Sequence, residues 1–583
     1  MQIRSVAEVL ASADLGPPVL NALVPNESNY TVLLMQPHGE VEASAAGVRN
    51  RDRNLARRRF GRFLADAQQA SADLVITPEY AMPWETLVAA IKEGTIPAPA
   101  KLWVLGCESI KYSDLEAVKQ DLSQFAVVLY EPLQPDTGRF IDPLAYVFVA
   151  PPIAGREAAK IVILVQFKTY PMGDNDHFEI NGLQRGTLIY QFGEIGQSVR
   201  LVSLICSDVF AFTDAHALAI YDRALVVHIQ LNAKPRQEQY RQYRDRLLHY
   251  QGDATELICL NWARDVNEWS GEQAKPWNNI GGSAWYLRPT QFDERDATLC
   301  VNHRRGLYYT WLKPLRAHAL FFNYEPATYL LEATKVAHIA VPACISRRRG
   351  PQLTRTCIWN DAVTAWVEQV VAEDGFSAVA SESGDAKDEI KRIADTNPFE
   401  AERVLALCAG KIEDGYNWHD VRQLDSCVID ASEVIRRITF CQDTDNRACG
   451  FRVARLKRCG HLWDILKTND SLPPALADLK EGFRLEWSPD YPHQNAIAVT
   501  TGRRATVIYM GDEANHTQIE ATAKRVAEFL HRGCTDPRMS RAARQRLAVW
   551  FRENEEIVPL DPNRYVKFDE AGDTSEFDIG REK

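Results

Sequence analysis

The chain reads as an α/β protein, a four-layer sandwich with helices outside two sheets, followed by a mostly helical or α+β C-terminal part. Three observations predict this. Short apolar runs without alternation, such as Ile161–Phe167 and Val199–Ile205, suit strands covered on both faces. These runs interleave with segments of helical period, twice over, as layered α/β folds require. Beyond about Val341 the texture shifts to charged connectors and helical patterns.

Composition sets the outer bounds. At 583 residues the chain exceeds one ordinary domain, so two domains are expected. Charged residues at 25% and hydrophobic ones at 46% are ordinary globular values. A net charge of -11 argues for solubility and against a generic nucleic-acid surface. The start MQIRSVAEVLASADL carries acidic residues and lacks a continuous apolar core, so no signal peptide is expected. The longest apolar stretches, Leu144–Ala154 and Ile161–Phe167, fall short of a membrane span, and a cytoplasmic location follows. The 12 cysteines are irregularly spaced and read as reduced thiols. Cys441, Cys449, Cys459 and His461 lack the two-residue knuckles of zinc sites, so no metal is expected.

Residues 1–28 form a lead-in with a short helix. Thr31–Met35 is a buried strand, and Ala46–Ser71 a helix with Leu55, Phe60, Phe63, Leu64 and Ala67 on one face. The arginines from Arg49 to Arg59 read as its solvated face. Asp73–Ile76 is a strand that ends in Thr77-Pro78-Glu79-Tyr80, with a helix at Thr86–Ile91. Strands follow at Leu102–Leu105, closed by Gly106, then Phe125–Tyr130 and Tyr146–Ala150, the last two separated by the turn-rich PLQPDTGRFIDP. After Ile161–Phe167 and Val199–Ile205 come a helix at Ala215–Tyr221, a strand at Leu225–Ile229, a helix at Gln237–Glu256 and a strand at Leu257–Asn261. The strands beginning at Gly281, Tyr308–Leu312 and Ala317–Phe322 complete residues 29–345.

Ser346–Pro351 is the connector, which places a C-terminal domain at residues 346–583. Within it, Trp359–Val371 and Ser432–Phe440 have helical spacing, Ala372–Asp388 reads as a mobile loop, and Ala496–Thr500 with Ala505–Tyr509 reads as a hairpin before a helix at Thr517–His531. The acidic tail from Asp569 is expected to fray.

Phosphate-binding glycine loops, the G-x-S-x-G elbow and H-E-x-x-H are all missing, which removes most familiar enzyme classes. What stands out is three strand ends that bear Glu79, Lys168 and Cys206. Taken singly, each has an ordinary explanation: a helix-start charge, a solvated cation and a small buried hydrophobe. Together they form a carboxylate, an ammonium and a thiol at the rim of a sheet.

At this point the sequence resembles the nitrilase (carbon-nitrogen hydrolase) superfamily, through LVITPEY with Glu79, VQFKTYP with Lys168, and LICSDVF with Cys206 and Asp208. KTYPMGDNDHFE supplies Glu179, similar to the second glutamate of that family, and LICLNWA at Asn261 and IGGSAWYLRP resemble further fragments. The resemblance covers roughly Asn29–Ala340 and does not reach the C-terminal part. It implies a nitrilase-like α-β-β-α sandwich and a Glu-Lys-Cys triad that forms a thioester acyl-enzyme.

The chemistry fits these residue types. A thiol with a pKa of about 8.5 needs a base or a cation to act near neutrality. Glu79 would take the Cys206 proton and return it to the leaving nitrogen. Lys168 would favour the thiolate and, with the backbone N–H of Ser207, stabilise an oxyanion. Glu179 would orient Lys168 or the substrate nitrogen, and Asp208 would fix the turn after Cys206 through backbone amides. Tyr80, Trp84, Tyr170, His177 and Phe210 are substrate-pocket candidates, with His228 and Asn232 similarly placed.

The expected function is a cysteine-dependent hydrolase of a non-peptide carbon-nitrogen bond (amide, carbamoyl or nitrile) with no cofactor. The reading of a different class is a nitrilase-like sensor or interaction subunit of the sort a bacterial defence system carries, with the C-terminal domain binding a partner. The family resemblance implies a homo-oligomer built through the helix at Ala215–Tyr221. Basic clusters at Arg452–Arg458 and Arg538–Arg546 read as solvated helix faces rather than a nucleic-acid or protein site.

Overall fold

Strands with water on neither face dominate the first part of the chain. In the computed structural model the chain divides into two units, Met1–Val370 and Val371–Lys583. The structure describes residues 1–566 except 135, 137, 154–157, 174–177, 194–197, 222, 234–237, 250–254, 278–282, 288–297, 313–316, 338–349, 370–373, 412–445, 469–471, 489, 512–513 and 535.

The strands of the first unit are, in order, β1 (Gln2–Ser5), β2 (Asn29–Gln36), β3 (Gly39–Ser44), β4 (Gly47–Asn50), β5 (Leu74–Met82), β6 (Leu102–Cys107), β7 (Val127–Tyr130), β8 (Pro143–Ala150), β9 (Lys160–Phe167), β10 (Leu188–Phe192) and β11 (Arg200–Ile205). Then follow β12 (Ala224–Ile229), β13 (Thr255–Leu260), β14 (Val266–Ser270), β15 (Gln273–Trp277), β16 (Ala284–Leu287), β17 (Leu307–Leu312), β18 (Ala317–Phe322), β19 (Ala327–Thr334), β20 (Gln352–Asn360) and β21 (Ala365–Glu368). Its helices are α1 (Val6–Ala11), α2 (Arg53–Ala70), α3 (Trp84–Lys92), α4 (Tyr112–Asp121), α5 (Phe178–Gly182), α6 (Asp214–Ala219), α7 (Glu238–His249) and α8 (Thr298–Arg304).

A nine-stranded sheet in the order β21-β20-β19-β2-β5-β6-β8-β9-β7 faces an eight-stranded one in the order β1-β10-β11-β12-β13-β16-β18-β17. Gln166 of β9 crosses between them, donating its side-chain amide to the Ser203 carbonyl of β11 at 3.0 Å. The Tyr146 and Phe192 rings meet at 5.0 Å in the same layer. On the outer side of the first sheet, Phe60, Phe63 and Leu64 of α2 pack with Leu33, Val75 and Trp103. On the outer side of the second, α7 brings Tyr243 onto His228 of β12 and Cys259 of β13. Helix, sheet, sheet, helix is the expected α-β-β-α order, and it explains the unalternating runs, since both faces of each sheet are covered. A small sheet, β15-β14-β3-β4, joins distant parts of the chain through the parallel pair β3 and β14.

Three expectations change. The lead-in contributes β1, which pairs in parallel with β10 at the edge of the second sheet. Helix α2 starts at Arg53 rather than Ala46, because Gly47–Asn50 pairs with β3 and the Asp52 carboxylate caps the helix by accepting from the Leu55 N–H. The expected boundary at 345/346 moves to 370/371: Gln352–Asn360 pairs antiparallel with β19 and then with Ala365–Glu368, so Trp359–Val371 is mostly hairpin rather than helix.

The second unit holds a five-stranded sheet, in the order β22 (Phe483–Leu485), β23 (Ala496–Ala498), β24 (Arg504–Tyr509), β25 (Leu547–Glu553) and β26 (Glu556–Pro559). Its core includes Leu462, Leu466, Val507, Val526 and Trp550, with helices Asn446–Thr468 and His516–Arg532 supplying the first, second and fourth. The segment Ala372–Asp388, read as a loop, carries a helix at Asp374–Ala380 and a 3-10 turn at Ser381–Ala386. Its small residues serve close approach: a Cβ on Gly460 would stand 2.6 Å from the Ser383 carbonyl oxygen. Cys459 is buried in that core. Ser432–Phe440, Cys441 and the tail from Asp569 lie outside the described residues. Among the described residues no helix is long and apolar enough to cross a membrane.

Candidate active site

Pro78 has no N–H to give the ladder, and β5 bulges there. Thr77 pairs with Leu105, but the next pair is Met82 with Cys107, so Pro78, Glu79, Tyr80 and Ala81 form an outpocketing of the strand. Tyr80 takes a φ of 56°, costly for a bulky residue. Gly106 makes the bulge fit, since a Cβ there would lie 2.1 Å from the Pro78 carbonyl oxygen. The strand thus delivers Glu79 inward, where it is buried.

Lys168 follows directly on β9, is fully buried, and places its Nζ 2.8 Å from Glu79 Oε1 and 2.7 Å from Glu179. Glu179, on α5, also accepts from the Met172 N–H at 2.6 Å. The second Glu79 oxygen accepts from the Leu231 N–H at 2.8 Å, just past β12. Cys206 opens a 3-10 turn (Cys206–Phe210) after β11 with a φ of 42°, again an uncommon backbone state for a non-glycine residue. Its thiol is buried, 3.7 Å from the Tyr240 hydroxyl.

Electrostatics follow from one cation among several acids out of water. Burial, and then the Glu179 charge, push Glu79 up to about 7 against the pull of Lys168. Burial alone would lower Lys168, but Glu179, Glu79, Cys206 and Asp142 hold it well above its usual value. Burial and the Glu79 charge drive the Cys206 thiol well up, with Lys168 working the other way. Cys206 at rest is therefore a thiol, and Lys168 favours the thiolate without producing it unaided.

Asp208 does more than cap its own turn. One carboxylate oxygen accepts from the Thr169 N–H, the Thr169 hydroxyl and the Tyr170 N–H at 2.7, 2.8 and 3.0 Å. The other accepts from the Ile205 N–H at 3.1 Å. A single buried side chain ties the segment after Lys168 to the residue before Cys206. Ser207 adds a second tie, its hydroxyl donating to the Tyr170 carbonyl at 2.6 Å. Asn261 donates to the Asn232 carbonyl and accepts the Asn232 N–H, which shapes the loop beyond Leu231, while Ser283 Oγ receives the Asn261 N–H.

With this geometry in hand, comparison with known proteins adds little. No protein-family model matches the chain, and no curated protein does. Among solved structures, a mutant amidase of the nitrilase superfamily from Nesterenkonia AN1 is similar at 13% identity and a TM-score of 0.31, over 54% of this chain and 94% of that one. Nit3 of Saccharomyces cerevisiae, a member of branch 10 of the same superfamily, is similar at 13% identity and a TM-score of 0.26, over 45% of this chain and 83% of that one. The glutamine-dependent NAD+ synthetase of Acinetobacter baumannii gives 12% identity and a TM-score of 0.30 over 55% of this chain, which spans only 49% of that protein. At such scores the likenesses carry no weight, and the site stands on its own contacts.

The pocket candidates separate. Tyr170 is 40% exposed and sets its ring edge-on to Phe210 at 6.0 Å, and Phe210 in turn meets Tyr240 at 5.0 Å. Trp84 is core: it is buried in the α3 layer and its indole N–H is committed to the Glu108 carbonyl at 3.1 Å. Tyr80 is buried within the acid cluster, donating or accepting at Asp142, Glu179 and Lys168. His228 is buried behind Cys206, with Nε2 3.0 Å from the Cys206 carbonyl and Nδ1 2.5 Å from the Tyr243 hydroxyl. His177 lies outside the described residues.

Two participants escaped the sequence reading. Asp142, in the turn-rich insert, was legible only as a turn former, because it precedes β8 rather than following a strand as Lys168 and Cys206 do. Tyr240 sits in the polar helix α7 beside a second tyrosine, Tyr243, and nothing in the sequence singles it out.

Proposed function

We propose that the first unit is a nitrilase-superfamily hydrolase that cleaves a non-peptide carbon-nitrogen bond through Cys206. The observation that carries this reading is the buried Lys168 ammonium clamped between Glu79 and Glu179, in the same electrostatic field as the Cys206 thiol. A structural ion pair needs no thiol on a strained turn beside it.

For an amide, the thiol sulfur attacks the carbonyl carbon while its proton passes to Glu79. A carboxylate held at about 7 is suited to both halves of such a transfer. The oxyanion is stabilised by Lys168 and the Ser207 N–H. Collapse breaks the carbon-nitrogen bond, and Glu79 returns the proton to the departing ammonia or amine. Water then attacks the thioester, gives its proton to Glu79 and releases the carboxylic acid, restoring the thiol. Glu179 orients Lys168. Tyr170, Phe210 and Tyr240 line the approach to the sulfur. Two copies associate through α6, whose surroundings leave Leu218 and Tyr221 exposed, at 70% and 47%.

The test is intact-protein mass spectrometry after incubation with simple amides, carbamoyl compounds and nitriles. An acyl adduct confined to Cys206, with turnover lost in Cys206→Ala, is the expected result. Full biological activity of Cys206→Ala would sink the catalytic reading in favour of a binding module. Light scattering that showed a monomer at high concentration would remove the oligomer.

A further inference from the structure

Around Lys168 the hydrogen bonds demand a proton that the triad does not account for. Tyr80 Oη lies 2.6 Å from Asp142 Oδ2 and 2.7 Å from Glu179 Oε1. A phenol has one hydrogen, so it can donate to only one of these oxygens. Two ionised carboxylates at such distances from one hydroxyl would leave a buried oxygen-oxygen repulsion. One carboxyl must therefore carry a hydrogen and donate it to Tyr80.

The surroundings decide which. Glu179 receives two donors besides Tyr80: the Lys168 ammonium at 2.7 Å and the Met172 N–H at 2.6 Å. Both are donors, so neither contact asks Glu179 for a hydrogen. Asp142 is fully buried, and besides Tyr80 its carboxyl meets the neutral Ser109 hydroxyl, whose hydrogen its other oxygen accepts at 2.5 Å. Ser109 Oγ accepts from the Val48 N–H at 2.8 Å, so its one hydrogen is free for Asp142. The donors then run in one direction: Asp142 to Tyr80, Tyr80 to Glu179, Lys168 to Glu179 and Glu79.

We propose that Asp142 is a neutral, protonated carboxylic acid in the working site and acts as a positioning residue, holding Glu179 and hence Lys168 through the Tyr80 hydroxyl. The charge balance supports it. The Lys168 ammonium is already bonded to both Glu79 and Glu179, so a negative charge on Asp142 would be buried without a hydrogen-bonded cation of its own. The groups that face Asp142 are Ser109 beyond β6, Tyr80 on β5, Lys168 beyond β9 and Glu179 on α5. Burial and the Glu179 charge also push Asp142 up to about 7. The positioning role rests on the hydrolase reading, whereas the protonation does not.

The experiment uses the full chain and three readouts. Infrared spectra near neutral pH should show a protonated-carboxyl stretch that shifts on carbon-13 labelling of aspartate and disappears in Asp142→Asn. Unfolding followed against pH should lose stability as pH rises from about 4 to 7, with Asp142→Asn removing one proton's share, about tenfold in the unfolding constant per pH unit. Alkylation of Cys206 by iodoacetamide should proceed within about threefold of the natural rate in Asp142→Asn, whose amide repeats the donor and acceptor pattern, and about tenfold or more slower in Asp142→Ala. No aspartate band at neutral pH, or an Asn variant as impaired as the Ala variant, overturns the proposal. Should the Asn variant fail to fold, the labelled band in the unaltered chain still decides the protonation. A chain that hydrolyses nothing yet shows the band keeps this proposal and loses the hydrolase instead.

Discussion

His228 illustrates how far a single residue's role depends on what lies behind it. From the sequence it was a pocket candidate at a strand end. In the structure it is buried, donating Nε2–H to the carbonyl of the strained Cys206 while Tyr243 supplies the hydrogen to Nδ1. Burial holds it down to about 3 against the opposing pull of the Cys206 carbonyl. A histidine whose folded value lies below its unfolded one binds fewer protons when folded, so its contribution is present above about pH 6.5 and is lost as pH falls. His228→Gln, which keeps a donor, should lose less stability than the natural chain between about pH 6.5 and 4. Unfolding midpoints across that range check this, and parallel curves for the two proteins would refute it. The three residues that announced the site by type and strand context, Glu79, Lys168 and Cys206, were legible because Glu and Lys are seldom buried unless paired and because the three occur together at strand ends. Asp142 and Tyr240 were not, because a turn aspartate and a helix tyrosine look the same in sequence whether or not they join such a cluster.

At the scale of elements, the site is an agreement between two sheets. Glu79 and Lys168 come from the first sheet, Cys206 and the Leu231 backbone from the second, and no local pattern says that they meet. Asp208 makes the agreement explicit, with four donors drawn from both sides of the gap. Its expected role was to hold its own turn, which is half of the observed role. Asp208→Asn keeps the shape but replaces one acceptor oxygen by a donor, leaving at least one buried N–H facing an N–H. The expected cost is about 2–3 kcal/mol of stability, together with slower modification of Cys206. Denaturant unfolding and iodoacetamide labelling measure the two effects. A variant with natural stability would show that the tie between Thr169 and Ile205 is dispensable. Where elements were misread, spacing was ambiguous. Trp359 and Trp366 stand two helical turns apart, yet the structure uses them as a cross-strand pair with rings 5.4 Å apart, turned at Thr364 with a φ of 51°. Trp366 then donates its indole N–H to the Arg59 carbonyl of α2 at 3.1 Å.

For the molecule as a whole, the layers were readable from runs covered on both faces, whereas the end of the first unit was not. Charge and a Gly-Pro pair mark 346–351 as a connector, but the chain beyond it returns to the nine-stranded sheet before leaving. That return is anchored. The buried Asn302 side chain donates to the Pro351 carbonyl at 2.8 Å and accepts the Leu353 N–H at 2.7 Å. Leu353 itself is fully buried. A chain ending at residue 345 would therefore strip two strands, expose one side of β19 along its length, and strand the Asn302 amide without its partners. The loss of Leu353 burial alone is worth about 2–3 kcal/mol, and the unpaired buried amide adds about 1–3 kcal/mol. Such a chain should aggregate or melt well below one ending at residue 370, which keeps the sheet whole. Thermal unfolding of the two side by side distinguishes them. Equal midpoints would mean that β20 and β21 are an appendage of the sheet and that the first unit is complete without them.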